Sequence, residues 1–164
     1  MTTRTFASWV EPIAAALQQQ RAELVGLVQS IPVEAWDRPS PNEGWTYRDL
    51  LGHVATRDAR DMRLVLQAVI TRTPLDPTQL QAEEAVPIND RLLVGVRDQS
   101  IEQIARGIET DTEGMLDLLA KLAEEDEHLR QAEFPMSLGE ALKLMPQHQR
   151  THMEQLRAAL EVNA

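Results

Sequence analysis

Apolar residues recur every three or four positions through most of the chain, the spacing that lays one stripe along a helical face. Phe6, Trp9, Val10, Ile13, Leu17, Leu24, Leu27 and Ile31 make the first stripe. It predicts a helix that stops near Ser30, because Ile31 precedes Pro32 and a residue before proline is biased out of the helical region. The stretch 31–45, rich in Pro, Asp, Ser and Asn, reads as a loop. A second helix opens at Thr46, whose hydroxyl can cap free N–H groups, while Asp49 complements the positive helix start. Its stripe is Leu50, Leu51, Val54, Met62, Val65, Leu66 and Val69, and Thr73-Pro74 ends it.

Residues 72–87 contain Pro74, Pro77 and Pro87 and show no period. About 16 extended residues can run the length of a bundle, so this connection allows its two flanking helices to be parallel. The third helical region is one kinked helix or two: Asn89 could cap an early segment, Ile88–Gln99, and Ser100 with Gln103 offers a second capping box. Its later stripe, Ile101, Ile104, Ile108, Met115, Leu118, Leu119 and Leu122, precedes the acidic run Glu124–Glu127. A last helix is announced by Ser137 and Glu140 and carries Leu144, Met145, Leu156 and Leu160. Pro146 falls inside it, which predicts a kink or a start delayed to about that position. The expectation is an all-α, four-helix bundle forming one domain over residues 1–164.

Composition supports helix over sheet: Ala, Leu, Gln and Glu dominate, and aromatics are 4% of 164 residues. The net charge of −10, with no Lys/Arg cluster, argues against nucleic acid and anionic membrane as partners. With no cysteine there is no thiolate ligand and no thiol nucleophile, so a metal would have to be held by His and carboxylates. No segment has signal-peptide or membrane-spanning character, which makes the cytoplasm the expected location.

His148 and His152 are four apart, neighbours on one helical face and able to chelate one ion. They share the stripe through Met145 and Leu156, so they are expected to project toward the interior, where two partnerless imidazoles would be costly. Taken alone, such a pair is more often hydrogen-bonded or partly exposed histidines than a metal site. His53, beside Val54 on the buried side of the second helix, could complete a set of three with an open position, the usual pattern of a reactive metal site. His128, in the acidic region, reads as a surface residue. Asp58 and Asp61 are either supports for a histidine or members of surface pairs with Arg57, Arg60 and Arg63, the latter being favoured. Met115, Met145 and Met153 read as core filler, and Trp9, Trp36, Tyr47 and Met62 as core or as the lining of a pocket above the ion.

The run Pro41-Asn42-Glu43-Gly44-Trp45-Thr46-Tyr47-Arg48-Asp49-Leu50-Leu51-Gly52-His53-Val54-Ala55 resembles the start of the second helix in DinB/YfiT-like proteins, where a Gly-Trp-Thr turn leads to the first metal histidine. His148-Gln149-Arg150-Thr151-His152 resembles that family's late His-x-x-x-His pair. The resemblance covers nearly the whole chain and implies an up-down-down-up bundle with His53, His148 and His152 as metal ligands. It further implies a divalent ion, zinc or nickel first, activating a low-molecular-weight thiol such as mycothiol, bacillithiol or glutathione for transfer to a small-molecule electrophile, and a homodimer. Two other readings stand beside it: a hydrolase using metal-bound water, and a non-catalytic stress-response or binding protein whose metal locks two helices together.

Overall fold

Five α-helices account for most of the described residues: α1, Glu11–Ser30; α2, Tyr47–Thr71; α3, Ala85–Arg97; α4, Ile101–Leu119; and α5, Leu138–Glu161. The computed structural model describes residues 4–75, 85–130 and 136–161, the residues at 57–59, 85–88, 90 and 161 by their backbone only. Among these residues β structure is limited to an isolated bridge between Pro39 and Thr46.

The first helix starts at Glu11 rather than near Phe6, with Pro12 in its first turn, where the missing N–H would have had no helical partner. Loop 31–45 contains one 3₁₀ turn, Val33–Ala35. As expected, Thr46 caps α2: its Oγ1 accepts from the Asp49 N–H at 3.1 Å, and Asp49 Oδ2 accepts from the Thr46 N–H at 3.1 Å. The helix ends at Thr71, and Arg72 adopts a left-handed conformation with φ 55°.

The third helical region is two helices, separated at Asp98–Ser100. Asn89 lies within α3 instead of capping it, whereas the Ser100–Gln103 box forms at the start of α4. Most of the expected crossover, residues 76–84, lies outside the described residues. The Ser137–Glu140 box forms too, and α5 passes through Pro146 without waiting for it. Gln20 Nε2 of α1 donates to the Pro146 carbonyl at 2.8 Å. The acidic run is not wholly solvated: it forms a 3₁₀ turn, Glu124–His128, in which Asp126 is buried and pairs with Arg72 at 2.7 Å, while His128 is exposed as expected.

Two clusters form the core, one at each end of the long helices. Leu17, Leu66, Met115 and Leu142 belong to the first, and Leu24, Leu51, Ile108 and Leu156 to the second. Helices α1 and α5 enter the first cluster and leave through the second; α2 and α4 do the reverse. The parallel course of α2 and α4 also appears in polar contacts that advance together: Arg48 donates to the Gln99 carbonyl, Arg63 pairs with Asp111, and Arg72 pairs with Asp126. Helix α3 packs on α2 at Gly52, where an added Cβ would stand 2.8 Å from Val96 Cγ1 and 3.2 Å from Leu93 Cδ2.

The buried Asp49 ties these parts together, since its Oδ1 accepts from Arg97 Nε of α3 at 2.7 Å. Burial pushes its carboxyl up, but the hydrogen bonds from Arg97 and Thr46 outweigh that and hold it below the usual carboxylate range. A carboxyl depressed in the folded state contributes stability above its unfolded pKa of about 3.9, and this is lost as pH falls through the folded value. Asp49→Ala is therefore expected to cost about 1–2 kcal/mol near neutrality, for the cap alone, in urea unfolding. The gap to wild type should shrink below about pH 4. Gly52→Ala should cost about 1–3 kcal/mol by the same measurement, because stiff Val96 has to move away.

Candidate metal centre

His53 lies on the second turn of α2, next to Val54, and is buried. The capping box fixes where that turn begins, so the position of His53 follows from Thr46 and Asp49. On α5 the buried stripe runs Leu142, Met145, Gln149, Met153 and Leu156. It therefore passes through Gln149 and not through the histidines, contrary to the inward projection expected of them. His148 is exposed and His152 half-buried, on the flank of the stripe. Stripe position and helical spacing could not separate these cases, because residues 148, 149 and 152 all fall within one broad helical face.

Antiparallel packing of α2 on α5 brings the three imidazoles together, with ligand nitrogens all within 4.8 Å of one another. His148 Nε2 and His152 Nε2 are 3.1 Å apart. Ring centroids are 4.9 Å apart for His53 and His152, 5.9 Å for His53 and His148, and 4.6 Å for the α5 pair. An ion bound tetrahedrally at zinc–nitrogen distances of about 2.0–2.1 Å needs its donors about 3.3 Å apart. The α5 pair already meets that spacing, and the widest separation in the set would have to close by about 1.5 Å, within reach of small side-chain rotations. The donor chemistry and spacing fit a divalent transition ion.

Trp45 covers the buried side, its ring 5.1 Å from that of His53. Gly44, at φ 78°, makes the turn that presents it. On the other side His152 Nδ1 lies 2.7 Å from Gln155 Oε1, and Gln155 Nε2 donates to Asn42 Oδ1 at 3.1 Å.

The DinB superfamily model matches residues 16–156, a span that includes all three histidines. The chain belongs to the DinB superfamily. No curated protein and no solved structure matched it.

Within this DinB-superfamily chain the other residues considered for the site lie away from the histidines or in the core. Trp36 and Tyr47 are buried in the second core cluster, and Trp9 and Met62 in the first. The aromatic against the histidines is Trp45, from the Gly-Trp-Thr turn that precedes α2. Trp36 instead lines a cavity of about 540 Å³ shared with Val28, Ile31, Arg48, Ile101 and Arg106, and none of the three histidines borders it. Met115, Met145 and Met153 are core residues as expected. Asp61 forms an ion pair with Arg60 at 2.7 Å, and the Asp58 side chain lies outside the described residues. The described support of His152 is an amide, Gln155, which a search for acidic neighbours passes over; its place three residues after His152 was the available signal.

Elemental analysis of purified protein supplied with zinc or nickel should find about one ion per chain, and His53→Ala, His148→Ala and His152→Ala should each lose it. A ligand at about 100 times its Kd stabilises the fold by about 2.7 kcal/mol, so zinc should raise the melting temperature of wild type and of none of the three variants. Absence of stoichiometric metal in the supplied wild type would refute the site.

Proposed function

We propose that this chain is a divalent-metal-dependent enzyme that transfers a low-molecular-weight thiol to a small electrophile, with His53, His148 and His152 holding the ion. The observation that carries the reading is a cluster of three imidazoles, buried on the His53 side and open on the His148 side. Three protein donors with one accessible flank suit a reactive site, whereas structural zinc sites are usually closed by four. A divalent ion there supplies a Lewis acid whose charge the neutral imidazoles leave uncompensated, which favours the anionic form of a thiol or of water.

The residues of the chain have separable parts in this scheme. His53 and Trp45 wall off one side from water, and exposed His148 leaves the other side open to a solute. The chain has no cysteine, so the sulfur must come from a soluble thiol. Its sulfur would form the new bond to the electrophilic carbon as the bond from that carbon to the leaving group breaks; the leaving group departs with that electron pair, as halide from an organic halide, and the thiol proton goes to solvent.

The same reading takes α1, α2, α4 and α5 as an up-down-down-up four-helix bundle with α3 added on the outside of α2. It is supported by the shared directions of α1 with α5 and of α2 with α4, and by α3 packing chiefly on α2.

The test is product formation from a small alkyl or aryl halide with mycothiol, bacillithiol or glutathione, using zinc- or nickel-loaded protein. Turnover should need both thiol and metal and should fall at least about 100-fold in His53→Ala, as expected when an ion that supplies several kcal/mol is lost. Metal-dependent turnover of ester or amide substrates without thiol would instead establish the hydrolase. Stoichiometric metal with neither activity would leave a metal-locked binding protein.

A further inference from the structure

Gln155 and Asn42 belong to no core cluster and to no ligand set, yet they form a chain of hydrogen bonds that ends on a candidate ligand. A carboxamide oxygen can only accept and a carboxamide nitrogen can only donate. Because Gln155 Nε2 donates to Asn42 Oδ1, it is Gln155 Oε1 that faces His152 Nδ1 at 2.7 Å, and that ring nitrogen must carry the proton. In a neutral imidazole the proton then cannot sit on Nε2, the atom 3.1 Å from His148 Nε2. The opposite polarity, with Asn42 donating and Gln155 donating in turn, would protonate Nε2 and block it as a ligand.

Asn42 is itself held. Its N–H donates to Ser40 Oγ at 3.2 Å, and its carbonyl accepts from the Trp45 N–H at 3.1 Å. The turn that ends at Thr46 thus addresses both helices of the site: Trp45 lies against His53 on α2, and Asn42 reaches His152 on α5 through Gln155.

We propose that Gln155 and Asn42 are positioning residues that hold His152 as the Nδ1–H tautomer with Nε2 presented to His53 and His148, and thereby set the affinity of the cluster for a divalent ion. The affinity half rests on the metal reading above; the tautomer half does not. Removing a partner of this kind typically weakens metal binding by about 10–100-fold.

Two measurements on the full chain test it. Nitrogen-15 NMR of the metal-free protein, above the pH at which imidazole is protonated, should report His152 as the Nδ1–H tautomer in wild type and as a mixture in Gln155→Leu. Chelator competition with zinc should show affinity about 10–100-fold lower in Gln155→Leu, lowered in Asn42→Ala, and restored in Gln155→Glu and Asn42→Asp, which keep an acceptor at each place. Unchanged urea stability of the metal-free variants separates positioning from a general loss of structure. Wild-type His152 found as Nε2–H overturns the tautomer lock whether or not zinc binds. Equal zinc affinity in wild type and Gln155→Leu overturns the affinity role. A wild type with the Nδ1–H tautomer that binds no zinc overturns the metal reading and the affinity half with it, and supports the lock.

Discussion

The antiparallel packing of α2 against α5 is the contact on which the site depends. One histidine comes from α2 and two from α5, and only one register of these helices brings the three rings within 6 Å of one another. A slip by one helical turn, about 5.4 Å, would separate them completely. That register is held at two levels. The two apolar clusters resist sliding because each side chain fills space left by its neighbours. At the start of α2, Thr46, Asp49 and Arg97 fix the helix end and join it to α3, a turn away from His53.

Much of this was legible in the sequence because it is local. Thr46–Asp49, Ser100–Gln103 and Ser137–Glu140 each state a helix start within four residues, and each box is present. Membership of the DinB superfamily was legible for a related reason: its two signatures are short runs of sequence, around Gly44–His53 and His148–His152. What escaped was set by contacts between distant segments. The burial of Gln149, while His148 is exposed and His152 half-buried, is set by the packing of α5 on α1 and α2. Trp45 and Trp36 could not be told apart as site and core, since both are aromatics in one loop region and only the packed helices decide which ring meets His53. The burial of Asp126 likewise depends on Arg72, 54 positions earlier in the chain.

The site also shows how chemistry can sit at the margin of a core. Buried His53 lies against Trp45, while His148 of the α5 pair is exposed. The cluster is therefore neither wholly inside the stripe nor wholly outside it. The loop before α2 contributes on both sides, so a segment without regular structure is as much a part of the site's framework as the helices.

The distribution of the donors along the chain has a thermodynamic consequence. His148 and His152 are four positions apart, so even an unfolded polypeptide could bring both to one ion at small loop-closure cost. His53 is 95 positions before His148. Recruiting it in an unfolded chain would mean closing a loop whose entropy grows with the logarithm of its length, and folding meets that cost through packing before any ion arrives. The difference between what the folded and unfolded states can bind is thus concentrated in one donor. Of the three histidines, His53 is the one through which binding of an ion would be converted into resistance to unfolding.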